Sequence, residues 1–418
     1  MKIKKSKLLL IFGFAAFLLN SMTRGVFFHV TGITLPGMIG SANWIAIIVE
    51  IIMLAIVVQD GRRKRNKNSL LVVILTLYTL LVTLTNIVAH NYVGHWVLFA
   101  SIIPAIILLR INFDNIDMLK LFKKFLIKFN FVICFIFIVG IADFFLGGIV
   151  NNLIKNYLYD ESWAKTVTIE NEAYGFRMFT VIGTPLMNAF YALVMLSLNA
   201  IYKKLTGSIV GNQSLIYGVS ILAIFTTGSR SALFFGVSII VISELFDKLR
   251  LYKVLFLLSV FFILINTPLF QDTVGNRLSL GFMNDTDARY QLFQMFLNND
   301  FGKIKVFSGG GYNFSRVLTS SLDENMTTLN FEYPVLMFLY DFGILATALY
   351  YVMFLILPIR YWIKHKQSYI VAMYCILFAF LQTCNMSAQF YDFNLQLGFI
   401  IVIITQSVNQ VRVKRIRI

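Results

Sequence analysis

Apolar runs and short polar connections alternate along the whole chain. Most of the apolar runs approach the roughly 17–25 residues that an α-helix needs to cross a bilayer. The pattern predicts one all-α polytopic membrane domain over residues 1–418, with about twelve transmembrane helices. The predicted spans are 8–22, 41–59, 70–89, 96–112, 129–149, 179–201, 209–227, 231–246, 252–269, 333–358, 368–386 and 391–409.

The distribution of charge orients these spans. The chain is 58% hydrophobic and 13% charged, whereas a soluble protein carries about 25% charged residues. Of its 36 Lys and Arg, 26 lie at the termini or in alternate connections, so the positive-inside rule predicts that both termini are cytoplasmic. The net charge of +16 is therefore a topology signal, and the pattern does not indicate a nucleic-acid surface.

Two connections on the predicted outer side are long, at 151–178 and at 271–332 between spans nine and ten. The cytoplasmic connections are too short for a nucleotide-binding domain. The chain has neither a GxxxxGK[ST] phosphate loop nor a Rossmann fingerprint. We therefore expect chemistry on the outer face, without ATP hydrolysis.

Arg230 is the most informative single residue. It lies in the short polar stretch 226–231 between two apolar runs, which leaves almost no loop. An arginine at that depth is costly unless it is used. The next helix begins there, and Ser229 or Thr227 can cap its N-terminus. A helix N-terminus beside a guanidinium favours an anion such as a lipid phosphate. The alternative is an arginine that extends to ordinary headgroups.

Other polar residues on the outer side give weaker signals. Arg177 precedes span six and either binds an anion or positions the interface. Arg289 begins an aromatic-rich stretch that predicts an interfacial helix, or it pairs with Asp285 or Asp287 within the loop. Glu332, at the entry to span ten, is a candidate general base or a helix cap. The remaining candidates are an anion-binding nest or flexible turn at 309–311, a metal-binding Asp285-x-Asp287 pair, and the histidines His29, His90 and His95.

Residues 226–233, TTGSRSAL, resemble the TGSR-small-apolar signature of the O-antigen polymerase and ligase family, where it also lies between two spans. Residues 175–185, GFRMFTVIGTP, are similar to that family's arginine and downstream proline. Arg289, the glycines at 302 and 309–311, and the apolar span with Gly343 resemble its long external loop. The resemblance covers roughly residues 170–350 in register.

The resemblance implies a GT-C-like fold and a transferase that acts on polyprenyl-pyrophosphate-linked sugars at the outer face of the bacterial inner membrane. A Wzy-type polymerase joins repeat units of O-antigen, capsule or exopolysaccharide. Arg230, Arg177 and Ser229 would bind the pyrophosphate, Arg289 would assist, and Glu332 would accept the acceptor's proton. No metal or cofactor is implied. The implied partners are the undecaprenyl-pyrophosphate-linked oligosaccharide, membrane lipid, and flippase and chain-length regulator proteins, with no nucleic acid.

Two alternatives follow from the same residues. A ligase of this family would carry a functional histidine in the external loop, and residues 271–332 contain none, which favours a polymerase. A transporter or flippase of lipid-linked sugars also fits twelve spans with intramembrane charges such as Glu50. It predicts charges along a central path, whereas the candidate arginines lie on one predicted face.

Overall fold

The computed structural model of the protein describes residues 5–32, 48, 52, 69–90, 116–158, 164–165, 167–168, 177–245, 288–315, 317–318, 333–383 and 390–416. Regular structure within these residues is helical, and β-type pairing there is limited to an isolated bridge between Thr180 and Gly183. The helices are α1 (Lys5–Leu18), α2 (Ser21–Thr31), α3 (Ser69–Val88), α4 (Met118–Phe145), α5 (Ile149–Tyr157), α6 (Pro185–Thr206), α7 (Gln213–Thr226), α8 (Arg230–Leu245), α9 (Ala288–Leu297), α10 (Pro334–Tyr351), a π-helical turn (Val352–Ile356), α11 (Leu357–Lys364), α12 (Ser368–Gln382) and α13 (Phe390–Ile416).

Several of these helices can cross a membrane, so the protein is an all-α membrane protein as predicted. Within the described ranges, four helical segments are long and apolar enough, or five if the bent α1–α2 pair counts as one span. The predicted spans 96–112 and 252–269 lie outside the described residues, and so does most of 41–59. The count of twelve therefore stays a prediction. The four segments are Met118–Phe145, Pro185–Thr206, Pro334–Lys364 and Asp392–Arg412.

The first predicted span, 8–22, is wrong at its end. Helix α1 stops at Leu18, and the chain turns by 84° into α2. Asn20 causes the break because its side chain caps α2, with its Oδ1 accepting the N–H groups of Met22 at 3.1 Å and Thr23 at 3.0 Å. Asparagine is among the preferred N-cap residues, so one polar side chain ends an otherwise apolar run.

Other boundaries also differ from the prediction. Span 129–149 corresponds to α4, which starts much earlier, at Met118, where the Asp117 carboxylate caps the N–H of Lys120 at 3.1 Å. Span 209–227 corresponds to the shorter α7, which begins only after Asn212 caps the N–H of Leu215. Residues 179–184 of span six form a turn before Pro185 opens α6.

Helix α10 breaks at Gly343, whose φ of 83° is left-handed and non-helical. The segment 301–315 fills this break with backbone hydrogen bonds. Gly310 and Gly311 donate to the carbonyls of Tyr340 and Asp341, each at 2.9 Å. In the opposite direction, the N–H groups of Ile344 and Leu345 donate to the carbonyls of Lys305 and Val306, each at 3.1 Å. The loop thus replaces helical bonds that the break removes.

The triple glycine is therefore neither an anion-binding nest nor a flexible turn. The N–H groups of Gly310 and Gly311 are already bonded to carbonyl oxygens. A Cβ at Gly309 would lie 2.2 Å from the carbonyl oxygen of Asp341, so only glycine allows the two backbones to approach this closely. The prediction of a nest was wrong because the same donors that would hold an anion hold helix α10.

Helix α6 lies at the centre of the described fold. The apolar stretch of α6 that is long enough to cross a membrane is 89% buried, whereas the corresponding stretch of α4 is 44% buried. Helix α4 accordingly presents Phe131 and Phe135 outward, with exposures of 76% and 64%. Helices α4, α7, α8, α12 and α13 all pack on α6. The segment that leads into α6 is therefore held from several sides.

Candidate functional site: the hairpin of α7 and α8

The turn between α7 and α8 is as tight as the sequence predicts. Thr227 closes α7, and its N–H donates to the carbonyl of Ala223 at 3.1 Å. Gly228 follows with φ of 64°, a left-handed conformation that glycine adopts without a steric penalty. Helix α8 then begins at Arg230. Only residues 227–229 separate the two helices, so Arg230 occupies the first turn of α8.

Ser229 caps α8, in agreement with the sequence prediction that it or Thr227 would do so. Its Oγ accepts the N–H of Ala232 at 3.3 Å, and its carbonyl accepts the N–H of Leu233 at 3.0 Å. Ser229 is 6% exposed, whereas Arg230 is partly exposed. Ser229 therefore caps the positively polarised N-terminus of α8, and the partly exposed Arg230 lies beside it in the first turn.

Arg177 lies against the same turn, although it is fifty positions earlier in the chain. Its Nε donates to the carbonyl of Thr227 at 2.7 Å, and the N–H of Met178 donates to the carbonyl of Thr226 at 2.9 Å. The last carbonyls of a helix lack intrahelical hydrogen-bond donors. At the end of α7, Arg177 and Met178 provide these donors. The structure therefore brings Arg177 and the Arg230 hairpin together, which sequence spacing could not do.

The bond from Nε gives Arg177 a positioning role, one of its two predicted interpretations. Arg177 is 8% exposed, and a buried cation at a helix C-terminus is favoured by the helix dipole. A guanidinium carries five N–H donors, and this bond uses one. Anion binding remains compatible with the positioning role, so both interpretations stay open.

The segment after Arg177 is fixed by side chains of neighbouring helices. Asn188 of α6 donates to the carbonyls of Met178 at 3.2 Å and Gly183 at 2.9 Å, and it accepts the Thr180 hydroxyl at 2.7 Å. Asn20 donates to the carbonyl of Ile182 at 2.6 Å. These bonds hold the backbone of the segment in place, so they fix the chain that immediately follows Arg177.

The loop candidates are only partly described. Arg289 lies in α9, which confirms a helix in that stretch, and its side chain lies outside the described residues. Phe293 of α9 contacts Tyr333, with ring centroids 6.1 Å apart, and Tyr333 follows Glu332 in sequence. Glu332 itself, together with Asp285, Asp287, His95 and Glu50, lies outside the described residues.

Asp341 and two of the candidate histidines lie within the described residues. Asp341 is buried, and its carboxylate accepts the N–H of Ser315 at 2.7 Å, so it anchors the segment 301–315 to α10. His29 on α2 and His90 at the end of α3 are both exposed. Within the part of the chain that the structure describes, no group of three or more His, Cys, Asp or Glu comes together to hold a metal ion.

The sequence does not predict the buried polar network next to the segment 178–184. Arg24 pairs with Asp392 at 3.1 Å, with side-chain exposures of 11% and 5%. Asn20 donates to the Tyr191 hydroxyl at 3.1 Å, and Gln396 donates to the same hydroxyl at 3.0 Å. The available signal was the spacing of Asp392 and Gln396, which places two polar side chains on one face of the last span.

Comparisons of the chain with protein families, with curated proteins and with solved structures find no match. The assignment to the O-antigen polymerase and ligase family therefore stays a prediction that rests on residues 175–185, 226–233 and the external loop.

Proposed function

We propose that the protein is a polysaccharide polymerase of the bacterial inner membrane. It transfers a growing glycan from undecaprenyl pyrophosphate to a new lipid-linked repeat unit on the outer face, within a GT-C-like fold of about twelve spans. The observation that carries the proposal is the meeting of Arg177 with the hairpin that presents Arg230. Two arginines and one helix N-terminus there converge on a single turn of a membrane protein.

The chemistry needs a cationic site of this kind. A hydroxyl oxygen of the acceptor sugar attacks the anomeric carbon of the donor. The bond from that carbon to the pyrophosphate oxygen breaks, and undecaprenyl pyrophosphate leaves with the electron pair. Arg177 and Arg230 stabilise the charge that develops on the leaving group, and the α8 N-terminus shaped by Ser229 adds its dipole.

The remaining roles follow from the loop. Arg289, on α9, assists at the pyrophosphate, and Glu332 accepts the proton of the attacking hydroxyl. The contact of Phe293 with Tyr333 supports this assignment, because it docks the helix that carries Arg289 against the residue that follows Glu332. The pyrophosphate is already an activated leaving group, so the reaction consumes no ATP.

The test uses purified full-length protein and lipid-linked repeat units with EDTA present. The proposal predicts a ladder of longer glycans on undecaprenyl pyrophosphate. Failure to form the ladder, with activity restored by a nucleotide-sugar, would overturn it. A ligase would give no ladder from repeat units alone, and it would instead transfer finished chains to a lipid A core acceptor.

Single variants connect the activity to the site. Arg230→Ala and Arg177→Ala should each lower the initial rate by roughly 10²–10³, the effect of losing one preorganised donor at a developing charge. Arg360→Ala is the matched control, because Arg360 is exposed on α11 at the opposite predicted face. An Arg230→Ala rate equal to that of the control would remove the pyrophosphate role.

A further inference from the structure

The turn between α11 and α12 is held by its own backbone. Lys366 donates its N–H to the carbonyl of Ile363, and Gln367 donates to that of Trp362, each at 2.9 Å. This is the bond pattern of a Schellman motif, in which the residue after the helix takes a left-handed conformation. Lys366 takes that place, with φ of 57°.

A lysine at this position is structurally unfavourable. Left-handed backbone crowds the Cβ of any residue except glycine, which is why glycine is the usual choice in the motif. The backbone bonds of the turn do not involve the lysine side chain, so the local fold gives no reason for it. Strain of this kind is often kept where a side chain has a function.

The turn and α13 line a half-open cavity of about 450 Å³. This lies within the roughly 300–1,000 Å³ of small-molecule sites. Its described lining contains two lysines, one arginine, one histidine and no carboxylate. Asp117 contacts α13 at Gln410, but it does not line the cavity and its carboxylate also caps Lys120. The lining residues are Lys364, His365, Lys366, Gln367, Val408, Val411 and Arg412.

The positive charges in this lining are close enough to influence one another. Burial lowers the pKa of His365 from its ordinary value, and the nearby charges of Arg412 and Lys364 lower it further. Like charges that share a cavity repel unless an anion enters. Val408 and Val411 of α13 also line the cavity, so apolar side chains adjoin the charged ones.

We propose that this cavity binds a phosphate group, carried by the headgroup of an anionic phospholipid or present as free phosphate. Lys364, Lys366 and Arg412 would contact the phosphate oxygens, and Val408 and Val411 would contact the apolar part of a lipid. Basic pockets between membrane helices are typical sites for anionic headgroups. The topology predicted from the loops places this end of α11 and α13 on the cytoplasmic side.

The test measures the thermal stability of the purified full-length protein in an uncharged detergent. Phosphatidylglycerol, phosphatidylcholine with the same acyl chains, or inorganic phosphate at constant ionic strength is titrated in. The variants are Arg412→Gln and Lys366→Gly. The control is Lys123→Gln, which removes one exposed charge on α4 at the same predicted face.

Phosphatidylglycerol should raise the melting temperature of the wild type and of Lys123→Gln, whereas phosphatidylcholine should not. Each cavity variant should need about fivefold more phosphatidylglycerol, the ratio expected for the loss of one cationic contact. Stabilisation by inorganic phosphate alone would identify a site for the free ion, and stabilisation by phosphatidylglycerol alone a site for the headgroup. An equal response of all variants, or no response to either phosphate source, would overturn the proposal.

Lys366→Gly separates binding from folding. Glycine relieves the left-handed strain, so this variant should melt at a higher temperature than the wild type without lipid while binding lipid more weakly. A variant that is less stable without lipid would contradict the argument that the lysine is kept against a structural cost.

Discussion

Gly309→Ala should detach residues 309–315 from helix α10. The new Cβ would lie 2.2 Å from the carbonyl oxygen of Asp341 and 2.4 Å from that of Tyr340, and both are backbone atoms that cannot rotate away. Relief of this overlap requires the two backbones to separate. Separation breaks the bonds from Gly310 and Gly311 to those two carbonyls, and it also breaks the bond from Ser315 to the Asp341 carboxylate.

The magnitude follows from these three bonds. Two neutral hydrogen bonds contribute about 1 kcal/mol each, and a bond to a carboxylate contributes about 1.5–3 kcal/mol. Undocking should therefore become easier by roughly 4 kcal/mol. Since 1.36 kcal/mol is a factor of ten, hydrogen exchange in peptides covering this segment should accelerate by up to about 10³.

Hydrogen–deuterium exchange with mass spectrometry measures this change directly. Gly218→Ala is the matched control, because a Cβ there meets no atom within 4 Å and the residue lies inside α7. It should leave the exchange of the segment 301–315 unchanged and stabilise α7 by about 0.5–1 kcal/mol. Unchanged protection of this segment in Gly309→Ala would show that the helix break does not depend on the glycine contact.

Three further predictions concern the other sites. Arg177→Ala combined with Arg230→Ala should lower the initial polymerisation rate by less than the product of the single effects, because both arginines act on one pyrophosphate in the proposed mechanism. A strict product would contradict a shared site. Lys366→Gly should raise the free energy of unfolding by about 1 kcal/mol in lipid-free detergent, measured by chemical denaturation, and a decrease would count against strain at that residue. Asp392→Ala should lower the free energy of unfolding by about 3 kcal/mol, because the substitution leaves the Arg24 charge buried without Asp392. The double variant Arg24→Met with Asp392→Leu should recover most of this loss. Equal melting of Asp392→Ala and the wild type would refute the role of the pair.

The parts of the fold that depend on neighbouring residues could be predicted from the sequence. The turn at 226–231 is one case, because a glycine after one apolar run and a serine before the next are local signals for ending and starting helices. Asn20 carries a signal of the same kind, but the apolar residues around it predict a continuous span. Hydropathy averages over a window, so a single capping asparagine does not change the outcome.

Contacts between distant segments could not be predicted. The bond from Arg177 to Thr227 and the pair of Arg24 with Asp392 depend on how α6 and α13 pack, and no local pattern encodes that packing. The sequence identified Arg177 and Arg230 separately, and only their resemblance to a family connected them. The triple glycine is a further example. Its local pattern predicts an anion site or a turn, but the structure uses it to bring one backbone close to another.

The length of α7 adds a constraint on how a substrate reaches the hairpin. The helix has fourteen residues between its two caps, which corresponds to a rise of about 21 Å. The hydrocarbon core of a bilayer is about 30 Å thick, so α7 cannot cross it fully. A span this short is accommodated by local thinning of the bilayer or by a turn that lies below the surface. In the proposed reaction, either arrangement would bring the pyrophosphate and the arginines to a similar depth while the polyprenyl chain stays in the lipid. The short helix and the charged turn are therefore physically linked. Thinning of the bilayer around α7 also reduces the free-energy cost of keeping Arg230 at that depth.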